Sequence, residues 1–167
     1  AIFGDAQSQQ PVVLTTMGMA DWRNPEARIT PLDYLRGVVV ASEVRGHPVR
    51  SGAELVVAGN VPIGLGVSSS AALCVALVLG LSEEPLSERE IILTAQEAEH
   101  RAGTPCGTMD QAASVAGGVI RYDAQSVSYE RLTPELGQYV FAVIDSGVDR
   151  SLGASAYPLR VRESAEL

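Results

Sequence analysis

Two regimes of hydrophobic patterning run along this chain of 167 residues: short β-branched runs, and longer stretches in which apolar residues return every three or four positions. PVVLTTM (11–17) has strand character. MADWRNPEARIT (19–30) is polar and proline-bearing and reads as a loop. It closes on a helix-start signal, with Thr30 as N-cap, Pro31 at the first helical position and Asp33 in the first turn. A helix is predicted from there to about Val44, with Leu35, Val38 and Val39 on one side and Gly46 as its stop.

AELVVAGNV (53–61) reads as a second strand, and the apolar run 71–81 as a helix buried on most sides. Between them lies VPIGLGVSSS (61–70). A further helix starts with a capping box of Ser87 and Glu90, carries Ile91, Leu93, Ala95 and Ala98 on its apolar faces, and stops at Gly103. The loop GTPCGTM (103–109) leads into DQAASVA, a short helix predicted to begin at Asp110. GVIRYD (118–123) and SVSYERL (126–132) read as a hairpin, and YVFAVIDSG (139–147) as a central, two-sided strand. The tail ASAYPLRVRESAEL (154–167) starts a helix without a stop signal. There is no start methionine, and both ends read as cut. One α+β domain is expected.

Composition narrows the function classes. Hydrophobic residues at 46% and charged residues at 19% suit a folded globular domain. The net charge of −8, with no basic stripe, disfavours nucleic acid as a partner. Run 71–81 is too short to span a bilayer, which takes roughly 20 residues, and no leader opens the chain; no membrane partner is expected. Two cysteines, Cys74 and Cys106, form no Cys-x-x-Cys pair, so a reducing, cytoplasmic setting is expected. All twelve basic residues are arginine. A Walker A loop, which needs lysine, is excluded.

The chemistry gathers in two segments. In VPIGLGVSSS, Gly64 and Gly66 permit close backbone approach, and Ser68, Ser69 and Ser70 bring hydroxyls to a helix N-terminus, where unpaired N–H groups attract phosphate. Two readings stay open, a phosphate cradle or simply Ser68 capping the helix. If a triphosphate binds, backbone amides, serine hydroxyls and magnesium must replace the absent lysine. In AEHRAGTPCGTMDQ (98–111), Glu99 on a helix precedes a loop that presents Asp110 at the next helix start. One carboxylate suits a magnesium ion and the other a substrate hydroxyl; each also has a plain reading, as a solvated helix residue and a helix cap. His100 reads as a polar residue at a helix end, His47 as a loop residue with no partner, Cys106 as a small loop residue, and Trp22 and Tyr34 as packing residues. Asp145 is either structural or faces the site.

These residues carry a resemblance. GLGVSSSAAL (64–73) resembles the second signature of the GHMP kinase superfamily, which includes galactokinase, homoserine kinase, mevalonate kinase and phosphomevalonate kinase. AEH with PCGTMDQ is similar to galactokinases and the related arabinokinases, as are PLDYLRGVVV upstream and DSGVDRSLGASAYPLRVR downstream. The resemblance implies the N-terminal domain of these kinases, a mixed sheet with helices mainly on one face in a two-layer, ribosomal-protein-like sandwich. It implies ATP and a sugar as substrates, with magnesium. Pro62, Gly64, Leu65, Gly66, Val67, Ser68, Ser69 and Ser70 would bind ATP, and Ser70 and Glu99 the metal. Asp110 would be the catalytic base or orienter of the sugar hydroxyl, and Gly107 and Tyr157 would contact the sugar.

The chain also departs from the family pattern. It holds no match to the Gly-Arg-x-Asn-x-x-Gly-Glu-His segment of galactokinases or to their C-terminal half, so this stretch alone is expected to be inactive. One residue fewer than usual separates Glu99 from Asp110, Cys74 stands where a glutamate is common, and Pro31 where some relatives carry tryptophan. Galactose is the expected sugar. The alternatives are an arabinokinase or other small-molecule kinase of this superfamily, or a fragment that binds nucleotide without catalysis.

Overall fold

The computed structural model describes residues 2–4, 11–13, 30–50, 52–63, 65–144 and 163–164. In chain order the elements are β1 (Ile2–Gly4), β2 (Pro11–Val13), α1 (Pro31–Val44), β3 (Val56–Val57), α2 (Ser69–Leu81), α3 (Glu88–Arg101), α4 (Met109–Ala116), β4 (Val119–Asp123) and β5 (Ser128–Leu132). The architecture is α+β. Its three-stranded sheet is mixed, in the order β2-β1-β3, with β1 antiparallel to β2 and parallel to β3. β4 and β5 form a separate antiparallel hairpin in which Tyr122 stands opposite Tyr129.

Helix α1 forms where its start signal lies. The Asp33 carboxylate accepts from both the Thr30 amide (2.6 Å) and the Thr30 hydroxyl (2.7 Å), closing the capping box. Helix α3 uses half of the expected box: the Ser87 hydroxyl accepts from the Glu90 amide, at 3.2 Å. The Glu90 side chain turns away to accept from Arg45 at 2.7 Å and meets the His47 ring at 3.1 Å. His47 therefore has a partner, contrary to the sequence expectation. The Arg45 guanidinium and the His47 ring serve Glu90 better than a single backbone amide, and hydrogen bonding from Arg45, followed by His47, holds its carboxyl below the usual range.

The same contact ties the end of α1 to the start of α3, so the two helices run antiparallel. Near their other ends Gly37 meets Ala98. A Cβ on Gly37 would lie 2.3 Å from the Ala98 carbonyl oxygen, which leaves room for hydrogen only. Ala41, Ala95 and Ala98 are wholly buried along this seam, and Leu35 and Val38 extend it towards Cys74, Val75, Leu77, Val78 and Leu81 of α2. Only a strip of α2 stays open, Ala76, Leu79 and Gly80, so the helix is buried on most sides as its composition implies. Leu55 and Val57 bring the β3 region against this core.

Several sequence expectations shift. The strand expected over 53–61 contracts to β3, the short helix begins one residue early at Met109, and β1 carried no sequence signal, being three residues long. Residues 139–144 form no strand. Their backbone groups meet no neighbouring strand among the described residues, and Tyr139, Val140, Phe141, Val143 and Ile144 are exposed. An apolar run becomes a strand only where another strand takes up its N–H and C=O groups. The remainder of the 11–17 strand, the 19–29 loop with Trp22, Asp145 and the tail helix apart from 163–164 lie outside the described residues.

Two predictions follow from the helix seam and its polar end. Gly37→Ala forces α1 and α3 apart and should cost about 1–3 kcal/mol, whereas Gly80→Ala, in a helix with nothing within 4 Å, should be stabilising by roughly 0.5–1 kcal/mol. Chemical denaturation of the two full-length variants reads the opposite signs. Glu90 has a depressed folded pKa, so its stabilisation is present above the ordinary carboxylate range and is lost as pH falls below that range through the lower folded value. Wild type should exceed Glu90→Gln in thermal stability at pH 7, by about 0.5–1 kcal/mol, and the gap should close under acid; a gap independent of pH would refute the ion-pair account.

Candidate active site

The end of α3 is where the chemistry collects. The Ala98 contact with α1 sets the depth of α3, and Glu99, the next residue, is only 3% exposed. Its backbone carbonyl accepts from the Thr104 amide (2.9 Å) and the Thr104 hydroxyl (2.8 Å), which closes the helix after Gly103. Its carboxylate accepts from the Gln111 side-chain amide at 2.6 Å and from the hydroxyl of Ser70. Ser70 and Thr104 also hydrogen-bond to Tyr34, whose ring is buried in the core. Tyr34 thus packs as the sequence suggests and also anchors polar groups.

Burial pushes the Glu99 carboxyl above its usual range; the bonds from Ser70 and Gln111 oppose this, and the nearby Asp110 charge adds to it. Asp110 lies in the first turn of α4, half-buried, where the helix dipole favours a negative charge. Thr108 holds the N-cap position, and its hydroxyl accepts from Tyr122 of β4 instead of capping the helix. The hairpin thereby steadies the turn that presents Asp110.

The 104–108 loop is clamped from α3. Gln96 donates to the Cys106 carbonyl at 3.1 Å, and the His100 ring lies 2.8 Å from the same oxygen and 3.2 Å from the Cys106 amide nitrogen. His100 donates to the oxygen or accepts from the amide according to which ring nitrogen carries its proton. His100 is a helix-end residue, as expected, with this added grip on the loop. Gln96 lies outside the quoted segments and Gln111 closes one of them, but sequence reasoning assigned neither a role, because neither is charged and each acts only through its partner.

Ser68 takes the N-cap position of α2, but with left-handed backbone (φ 60°) and no side-chain capping bond. Capping is therefore not the use of its hydroxyl. Gly66, at φ 73°, makes the turn that a side chain would strain. Pro62, Leu65 and Gly66 are exposed, and Val67, Ser68, Ser69 and Ser70 are half-buried, the last reaching Glu99. Gly107 is exposed with open space above it. The fold thus brings Ser70, Glu99 and Asp110 together. Gly64 and Tyr157 lie outside the described residues.

Residues 33–118 match the family described as GHMP kinases N terminal domain. The chain belongs to the GHMP kinases. This GHMP kinase domain is 37% identical over 142 residues to a galactokinase of Thermotoga maritima, covering 81% of the chain and 40% of that protein. It is 39% identical over 138 residues to a galactokinase of Roseiflexus sp., covering 78% and 35%, and 38% identical over 138 residues to one from Thermosipho africanus, covering 78% and 39%. The chain spans about two fifths of the length of these curated relatives. No solved structure matches it significantly. Among the described residues no helix of this GHMP kinase domain is long and apolar enough to cross a membrane.

Both thiols of the domain are silenced by their surroundings. Burial, then the Glu99 charge, pushes the Cys106 thiol up to about 12, and burial raises that of Cys74, which is fully enclosed in the core. At pH 7 Cys106 should react with iodoacetamide roughly a thousandfold more slowly than an ordinary thiol. Mass mapping of the 106 peptide from native and denatured full-length protein checks this; equal labelling rates in the two states would contradict it.

Proposed function

We propose that this domain supplies the phosphate cradle and the catalytic carboxylate of an ATP-dependent sugar kinase, which transfers the γ-phosphoryl group of ATP to the anomeric hydroxyl of galactose. The observation that carries this reading is the convergence of Ser70, at the α2 N-terminus, with the carboxylates of Glu99 and Asp110. The galactokinase names of the relatives support the substrate.

Each group has a task suited to its chemistry. The amides at the start of α2 and the hydroxyls of Ser68, Ser69 and Ser70 receive the phosphates, with the 62–67 turn completing the cradle. Gly107 offers backbone against the sugar, and Tyr157 a phenol. Asp110 accepts or orients the proton of the anomeric hydroxyl; the sugar oxygen bonds to the γ-phosphorus as the bond to the β–γ bridging oxygen breaks, and ADP leaves. Among the described residues no three His, Cys, Asp or Glu side chains gather into a metal-holding group. The oxygens of Ser70 and Glu99 fit magnesium even so, since that ion takes one or two protein oxygens and leaves its other positions to phosphate and water. When bound it would neutralise phosphate charge that no lysine of this chain can meet.

The test is phosphorylation by the full-length protein of galactose, arabinose and N-acetylgalactosamine with ATP. Galactose should be the best substrate, and Asp110→Asn should lower kcat by about 10²–10⁴-fold with little change in the KM for ATP. Absence of turnover with every sugar would overturn the reading, and a preference for arabinose would move it to an arabinokinase.

A further inference from the structure

Gln111 has a pattern of contacts that packing alone does not account for. It is fully buried, and its side-chain nitrogen donates to Glu99 Oε1 at 2.6 Å and lies 3.4 Å from Cys106 Sγ. Its carbonyl oxygen Oε1, equally buried, has no hydrogen-bond partner among the described residues. An unpaired buried carbonyl is costly, and an apolar side chain of the same size would avoid the cost. Turning the amide over would set its oxygen against the Glu99 carboxylate and leave that carboxylate without its N–H. The glutamine is arranged for its donor side, and the donor side faces Glu99.

We propose that Gln111 is a positioning residue for the metal and nucleotide site: its amide fixes the rotamer of the Glu99 carboxylate so that one oxygen is held by Gln111 while the carboxylate stays directed at Ser70. This rests on the reading of Ser70 and Glu99 as the magnesium pair. The geometry extends across three helices. Glu99 stands at the end of α3, Ser70 in the first turn of α2, and Gln111 in the first turn of α4 beside Asp110. One amide thereby links the residue that meets the metal to the turn that carries the catalytic carboxylate. Outer partners of this kind, hydrogen-bonded to a ligating carboxylate, typically account for 10–100-fold in metal affinity.

The discriminating variants are Gln111→Met, close in volume and without polar atoms that donate, and Gln111→Glu, equal in size with no N–H at neutral pH. Manganese(II) serves as the probe, bound to the full-length protein with ATP and followed by electron paramagnetic resonance, alongside thermal unfolding. Both variants should keep a folded transition while their manganese affinity falls by about 10–100-fold. A folded Gln111→Met protein with wild-type manganese affinity overturns the proposal, since a structural role alone predicts that result. Loss of folding in both variants also overturns it, because the amide would then be a requirement of the core. Wild-type protein that binds no manganese with ATP brings down the metal-pair reading itself, which separates that failure from a failure of Gln111.

Discussion

Gly37 lies so close to the Ala98 carbonyl that no side chain fits between them. This backbone-to-backbone approach of α1 and α3 determines how deep the end of α3 sits, and so where Glu99, one residue later, emerges. Small residues line the seam for that reason. At the opposite end, Arg45 and His47 hold Glu90 and fix the relative sliding of the two helices. A helix pinned at both ends has little freedom to move the carboxylate that it presents.

Around Glu99 the domain builds a polar cluster inside an apolar shell. Ser70, Thr104, Tyr34 and Gln111 join it by hydrogen bonds, and Cys74 and Cys106 border it. Low polarity makes every bond in such a cluster stronger and every unpaired group costlier, so the arrangement is rigid once formed. A buried carboxylate beside a second negative group also gains from any positive charge placed near it. The loop that follows is gripped by Gln96 and His100 and steadied through Thr108 by the hairpin. The loop is thus positioned partly from within its own segment, by His100 and Thr108, and partly from outside it, by Gln96 and the hairpin.

How much was legible beforehand depended on how local the cause was. The bounds of α1 could be read because Thr30, Pro31 and Asp33 act within one turn, and the 118–132 hairpin because its turn is short and polar. The Gly/Ser turn and the Glu99 and Asp110 segments were recognisable because glycine, serine and carboxylate residues in that spacing have distinctive chemistry. The Glu90 side chain was misjudged: a box pattern in sequence does not reveal that Arg45 and His47 wait across the fold. Ser68 likewise stands at a cap position without capping, because its backbone is left-handed there.

The sequence by itself determined the helices, the two signature segments, the lack of lysine and, through these, the family. Each rests on residues that are neighbours along the chain or on residue type alone. Only the tertiary structure decided that Glu99 is buried, that Ser70 and Asp110 lie beside it, that Gln111 donates to it, and that residues 139–144 find no strand to pair with among the described residues. These depend on desolvation and on contacts between segments far apart in the chain, where a shift of about one ångström in a helix changes which atoms meet.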